Sequence, residues 1–384
     1  MSAVVVNLNS VEDRRDVVHR AVEALAAGQL VVFPTETVYG LAASALAEDG
    51  VQRLIAVKGR PNNQPITVAI KGAEDVLDYA PGISLLGQRL ARRCWPGPCT
   101  LVLEDNHPDG VVRQLPESVQ RVICPAGTIG LRVPAHPVIL SVLNLSAGPL
   151  LLTSANRSGQ SDPVTADEVV RTLGDDVAIV LDDGRCKFAQ SSSVVKVCEN
   201  QWEILRRGVL DEAALARLAS YMVLFVCTGN TCRSPMACAL MRRQMAAQLG
   251  SPTDELERRG LLIASAGTAA QAGGPASREA IQVMSERGMD INQHESQPLS
   301  ERLVRFADLI LTMTRGHREA ILAQWPNAAP RTHLLGGQSG DVADPMGGSA
   351  DAYRRAADQI ESFLAAWVEE MKLDRILASG RVGG

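Results

Sequence analysis

Residues 223–237, VLFVCTGNTCRSPMA, limit the possible folds of this chain more than any other stretch. An apolar run suited to a buried strand breaks into a polar loop, and Pro235 follows where the first turn of a helix accepts it. Strand, tight loop, helix is the opening of a βαβ unit. The chain keeps that rhythm afterwards. Strands LLIAS (261–265), DLILTM (308–313) and a short one near Thr332–Leu335 alternate with helical patterns over Ser234–Leu249, Pro275–Arg287, the residues after Thr314, and Ser349–Met371. Right-handed crossovers between such strands give a small parallel sheet covered on both faces. The closing RILASGRVGG reads as a frayed tail.

Ahead of Met222 the spacing is irregular. Apolar runs LVVF (30–33), ITVAI (66–70), TLVLE (100–104), IGLRVP (129–134), PLLLTS (149–154), VAIVLD (177–182) and SVVKV (193–197) are broken by Pro and Gly, with helical patterns over Val11–Ala27 and Ser84–Arg93. A chain of 384 residues exceeds what one core usually organises, so two domains are expected, 1–219 and 220–384, joined by a short, partly helical linker near Leu210–Tyr221. Aromatic content of 3% leaves the cores to Val, Leu, Ile and Ala, and a net charge of −5 argues against a generally basic nucleic-acid coat. Dispersed cysteines, no Arg/Lys-flanked apolar leader and no apolar run of about 20 residues point to a reduced, cytoplasmic protein without a membrane span.

The loop 227–234 has the makings of an anion cradle. Successive backbone N–H groups at a helix N-terminus converge on one centre, and Arg233 can face Cys227 across it as a planar, two-pronged grip on phosphate. The same field favours an anionic, nucleophilic sulfur at Cys227, to which Ser234 can donate its hydroxyl. Asp344, in GDVADPMGGS beyond the last strand, suits a general acid at the same sheet edge. Zinc would want closer Cys pairs and further ligands, so no metal site is expected among Cys227, Cys232 and Cys238. Cys238 reads as core, Cys232 as a reversible partner for an oxidised Cys227, and His317 and His333 as surface or packing residues.

These residues resemble the low-molecular-weight protein tyrosine phosphatase family over 222–371: CTGNTCRS matches its Cys-x5-Arg-Ser signature, SAGT (265–268) a block after its second strand, and Asp344-Pro345 its acid loop. The resemblance implies a Rossmann-like four-stranded sheet and a phosphocysteine route that needs no cofactor. Its roles fall on Cys227 as nucleophile, Arg233 as phosphate clamp and Asp344 as general acid, with Asn230 and Ser234 holding the loop. Thr231 stands where tyrosine phosphatases of the family usually carry an aliphatic residue. Together with the DP-x-GGS acid loop it makes the sequence similar to the bacterial protein-arginine phosphatases, which favours phosphoarginine over phosphotyrosine as substrate. Met222 then marks where a free-standing phosphatase was joined behind another domain.

The first half has no compact signature. PTETVYGL (34–41) offers Thr35 and Thr37 at a Gly turn, KGRP (58–61) two cations on alternate residues of an extended segment, and TSANRSG (153–159) Ser154 and Asn156 at a strand end. Alone, KGRP is usually a solvated turn and TSAN a helix cap. In order, with WPGP (95–98), GLRVPAHP (130–137) and LRRG (205–208), they resemble the YrdC family of threonylcarbamoyl-AMP synthases, implying a twisted mixed α/β sheet. That family condenses L-threonine, bicarbonate and ATP for tRNA threonylcarbamoylation. The resemblance puts Thr35, Thr37, Arg132, Ser154 and Ser192 near threonine. It puts Lys58, Arg60, Thr128, Asn156, Thr165 and Arg206 near ATP, which would bring Mg2+. Ala69 and Ser191 replace a His and a Glu of many relatives. An alternative role is therefore a non-catalytic nucleotide- or RNA-binding module that regulates the phosphatase. A phosphoprotein substrate, and tRNA or tRNA-modifying partners, complete the expectation.

Overall fold

The computed structural model describes residues 3–59, 64–105 and 107–382. The chain divides into two compact units, Met1–Leu218 together with Ser379–Gly384, and Ala219–Ala378. No helix among the described residues is long and apolar enough to cross a membrane.

Strands β1 (Val4–Asn7), β2 (Val31–Phe33), β3 (Gly40–Ser44), β4 (Thr67–Ala69), β5 (Cys99–Glu104), β6 (Thr128–Arg132), β7 (Leu150–Ser154), β8 (Ile179–Asp182), β9 (Ser193–Cys198) and β10 (Gln201–Arg206) belong to the first unit. The second is built on β11 (Tyr221–Cys227), β12 (Leu261–Gly267), β13 (Leu309–Thr312) and β14 (Thr332–Leu334), and β15 (Ser379–Val382) follows them.

The second unit has the sheet its rhythm predicts, all parallel in the order β12-β11-β13-β14. Alternate side chains of a strand point to opposite faces. Val223 and Phe225 therefore enter one core, with Met236, Leu240, Val283 and Ile360 from the helices Arg233–Leu249, Arg278–Glu286 and Ala350–Glu370. Met222, Leu224 and Val226 enter the other, with Val304 and Ile321 from the helices Glu301–Phe306 and Arg315–Gln324. A strand buried on both faces is apolar throughout, which is why VLFV reads so clearly.

The first unit is a mixed sheet in the order β1-β8-β2-β3-β7-β4-β6-β5-β9-β10-β15. The helix Arg14–Ala26 packs Val17, Val18, Ala21 and Leu25 against Val31 and Phe33 of β2 and Leu150 and Leu152 of β7. Two expectations are corrected. The tail is no frayed end: Ser379–Val382 pairs in parallel with Gln201–Ile204 of β10. Nor does Lys58 stand in an extended segment. Lys58 closes the helix Glu48–Lys58 and Gly59 takes the left-handed φ of 58° that ends it. Arg60 lies outside the described residues.

Candidate active sites

In the second unit β11 delivers Cys227 to its carboxyl end, and the helix Arg233–Leu249 begins six residues later. Asn230 turns the loop between them with a left-handed φ of 56°. Its backbone N–H points at Cys227 Sγ, 3.3 Å away, and Ser234 Oγ lies 3.0 Å from the same sulfur. The Asn230 side chain donates to Ser234 Oγ (2.9 Å) and Ser265 Oγ (2.8 Å) and accepts from the backbone N–H of Gln297 (2.9 Å). His294 Nε2 sits 2.7 Å from the Asn230 carbonyl oxygen. The strained residue is thus gripped from several sides, as pre-organised sites require. Gly267 of SAGT makes room for it: a Cβ there would stand 2.4 Å from Thr228 O and 2.9 Å from Asn230 N.

Arg233 is buried, with one guanidinium nitrogen 3.3 Å from Val342 O and the other 2.6 Å from Asp344 Oδ2. Arg233 and Asp344 are therefore brought together at the loop that holds the sulfur, and Asp344 remains half exposed. Cys227 is 2% exposed, so its sulfur forms the floor of the cradle. Thr231 Oγ1 lies 3.6 Å from Cys232 Sγ, whose other neighbours are Ser277 Oγ (3.5 Å) and Tyr353 Oη (3.3 Å). Cys227 and Cys232 are both free thiols. Burial pushes the Cys238 thiol up to about 11, as suits a core residue.

His317 is more than a packing residue. Its Nε2 lies 2.9 Å from Thr228 Oγ1 in the loop, and its Nδ1 2.9 Å from Thr314 Oγ1, the cap of its own helix. Burial first, then the nearby Arg233, lowers its pKa. His333 rests against the Trp367 ring, with centroids 5.4 Å apart. His294 and Gln297 carried no local sequence signal, because their partner lies 64 to 67 residues away.

In the first unit a cleft of about 180 Å³ opens on β3, β5, β6, β7 and β9. Thr35, Thr128, Arg132, Ser154, Ser192 and Arg206 line it, as do Asp162 and Ser191. Lys58 stands behind the wall rather than in solvent: it is 2% exposed, and its Nζ donates to Ser154 O (2.7 Å), Asn156 O (2.5 Å) and Asn156 Oδ1 (2.6 Å). An ammonium so buried is tolerated because its donors are satisfied. Ser154 Oγ donates to the same Asn156 Oδ1 at 2.6 Å.

Arg132 already grips a carboxylate, that of Glu36, at 2.7 Å, and donates to Thr37 Oγ1 at 2.8 Å. Thr37 and Thr35 share a 2.8 Å contact, so PTETVYGL positions Arg132 through its own side chains. Arg206 donates to Ser192 O (2.9 Å) and Ser192 Oγ (3.1 Å). Gly208 of LRRG permits this packing, since a Cβ there would lie 2.4 Å from Ser191 O. Thr165 sits elsewhere: it caps the helix Ala166–Leu173 in a capping box with Glu168 and is absent from the cleft lining. Sequence reasoning missed Glu36 and Asp162, acidic residues that read as ordinary loop polarity. Among the described residues no three His, Cys, Asp or Glu side chains converge as a metal site.

Residues 23–208 match the Sua5, YciO and YrdC family model described as Telomere recombination, and residues 222–376 match that of the low molecular weight phosphotyrosine protein phosphatases. A Mycobacterium tuberculosis protein provisionally named threonylcarbamoyl-AMP synthase is 33% identical over 207 residues, 54% of this chain and 91% of that one. The Bacillus subtilis protein-arginine-phosphatase is 38% identical over 159 residues, 40% of this chain and 98% of that protein. The chain belongs to both families. Its first half carries the synthase-family domain and its second half the phosphatase-family domain. The threonylcarbamoyl-AMP synthase of Pyrococcus abyssi is 38% identical over 184 residues, 48% of this chain but 51% of that protein, so the chain spans about half its length. The crystal structure of P. abyssi Sua5 complexed with L-threonine shares the fold, with a TM-score of 0.51 at 22% identity over 69% of this chain and 92% of that chain.

Proposed function

We propose that the chain is bifunctional. Its second unit hydrolyses protein phosphoarginine, in preference to phosphotyrosine, through a phosphocysteine. The Cys227 sulfur attacks phosphorus from the floor of the cradle, and Arg233 exchanges Asp344 for two phosphoryl oxygens. Asp344, so released, takes the proton that the Cys227 thiol gives up on attack and passes it to the departing guanidino nitrogen, while the loop N–H groups hold the transferred charge. Water then attacks the phosphocysteine, Ser234 steadies the leaving sulfur, and inorganic phosphate departs. The observation that carries this reading is the Asn230 N–H and Ser234 hydroxyl converging on one buried sulfur beside an Arg–Asp pair. Thr231 and the absence of Tyr from Met346-Gly347-Gly348 favour a polar leaving group over a stacked phenol. Relatives named protein-arginine-phosphatase support the same choice.

The first unit condenses L-threonine, bicarbonate and ATP, with Mg2+ on the phosphates, to threonylcarbamoyl-AMP and pyrophosphate. Ser154, backed by the buried Lys58 and Asn156, offers one wall for polyphosphate, and Arg132, Thr35 and Ser192 offer polar contacts for threonine. The P. abyssi protein seen with L-threonine supports that substrate. The test is to incubate the full chain with ATP, bicarbonate and threonine, and separately with phosphoarginine and phosphotyrosine. Pyrophosphate release that depends on all three substrates, with faster phosphate release from phosphoarginine, is expected. Nucleotide or RNA binding without pyrophosphate would mark the first unit as a binding module. A Thr231→Ile protein should move the preference toward phosphotyrosine by about tenfold or more.

A further inference from the structure

The cleft of the first unit contains an acidic side chain in a wall meant for anions. Asp162 lines it alongside Arg132 and Arg206, where a triphosphate would repel a carboxylate. A residue placed at such a cost is explained by what it holds. Asp162 Oδ1 accepts from Asn156 Nδ2 at 3.2 Å, and Oδ2 accepts from the Ser191 hydroxyl. The Asn156 amide also donates to Gln160 O at 2.6 Å. With its nitrogen committed to these acceptors, the amide oxygen must face Lys58 and Ser154. The opposite flip would set NH2 against the Lys58 ammonium and leave Asp162 and Gln160 O without that donor.

Ser191 lies at the head of the other wall. Its carbonyl accepts from Val209 N–H at 3.1 Å, and the adjoining Ser192 holds Arg206 and meets Thr100 Oγ1 at 3.2 Å. The loop bearing Asp162 is itself anchored, since Pro163 O accepts from Tyr39 N–H and Val164 O from Cys186 N–H, both at 2.9 Å. We infer that Asp162 is a positioning residue. It fixes the Asn156 amide and couples the Lys58–Ser154–Asn156 wall to the Ser191–Ser192–Arg206 wall, setting the width of the cleft for nucleotide. The coupling runs through hydrogen bonds, not through charge on the substrate, and its consequence for turnover rests on the synthase reading above.

The test uses the full chain with Asp162→Ala, Asp162→Asn and Ser191→Ala. Hydrogen exchange is followed over 154–160 and 189–194, alongside pyrophosphate release. Asp162→Ala should speed exchange in both segments and lower kcat/KM for ATP by about ten- to a hundredfold, the usual cost of losing such a support. Asp162→Asn keeps an acceptor for Asn156 and offers Ser191 a donor, so it should stay within about threefold of wild type. Ser191→Ala should loosen 189–194 and spare 154–160. Equal losses in the Ala and Asn variants with exchange unchanged would overturn the inference, because charge alone would then be at work. So would unchanged exchange in Asp162→Ala. A wild-type protein that releases no pyrophosphate would sink the synthase reading, while the exchange data would still judge the coupling.

Discussion

The two sites are built in opposite ways. In the second unit one loop, 227–234, carries Cys227, Asn230, Arg233 and Ser234, and the chain adds Asp344 from the same sheet edge. In the first unit the groups of the cleft come from short blocks far apart in the sequence. Lys58 reaches across 96 positions to Ser154, and Arg132 across 96 to Glu36. A parallel sheet with uniform crossovers presents a whole site on one βα turn. A mixed sheet has no such turn, so its pocket depends on strands brought together from distant parts of the chain.

The largest effect should come from Lys58→Ala. Three acceptors lose a buried donor, so the first unit should be destabilised by roughly 1–3 kcal/mol for each acceptor left bare. Pyrophosphate release should fall by about 10²–10³-fold. A thermal melt and a pyrophosphate assay check both, and a full-strength variant would break the scattered-site account. Asp344→Asn comes next. It should slow phosphoarginine turnover by about 10²-fold. Because it weakens the ion pair with Arg233, it should also tighten inhibition by inorganic phosphate, which a competition assay reads.

How much of this could be read from the chain differs between the halves for the same reason. VLFV, LLIAS and DLILTM are apolar on both faces, and CTGNTCRSP places its chemistry within one loop, so both were legible. β3 was not, because GLAAS buries small residues that look like a loop. Nor was β10, where buried Trp202 and Ile204 alternate with polar neighbours in QWEILR. β1 was missed because Val4 and Val5 are exposed. Lys58 was misjudged because neither a helix end nor long-range acceptors can be seen in KGRP. His317 and Asp162 act through partners that only folding supplies.

Asn230 gives a smaller, sharper contrast. Asn230→Gly keeps the left-handed backbone but loses the side-chain bonds, whereas Asn230→Ala loses both. The Ala protein should therefore melt below the Gly protein, by about 1–2 kcal/mol of second-unit stability. The smallest effect is one of pH. Burial lowers the pKa of His294, His317 and His333, so the folded unit binds protons less readily than the unfolded chain. Stability should be full above about pH 6.5 and decline as pH falls below it. His317→Asn should flatten that slope in a melt series from neutral to mildly acidic buffer.

The claim beneath all of this is that one chain carries two separate sets of reacting groups, with Cys227 the nucleophile of the second. The direct measurement is a Cys227→Ser protein of full length, assayed for phosphate release from phosphoarginine and for threonine-dependent pyrophosphate release from ATP. The account predicts that the first activity disappears and the second is unchanged. Surviving phosphatase activity, or the loss of both activities together, would contradict it.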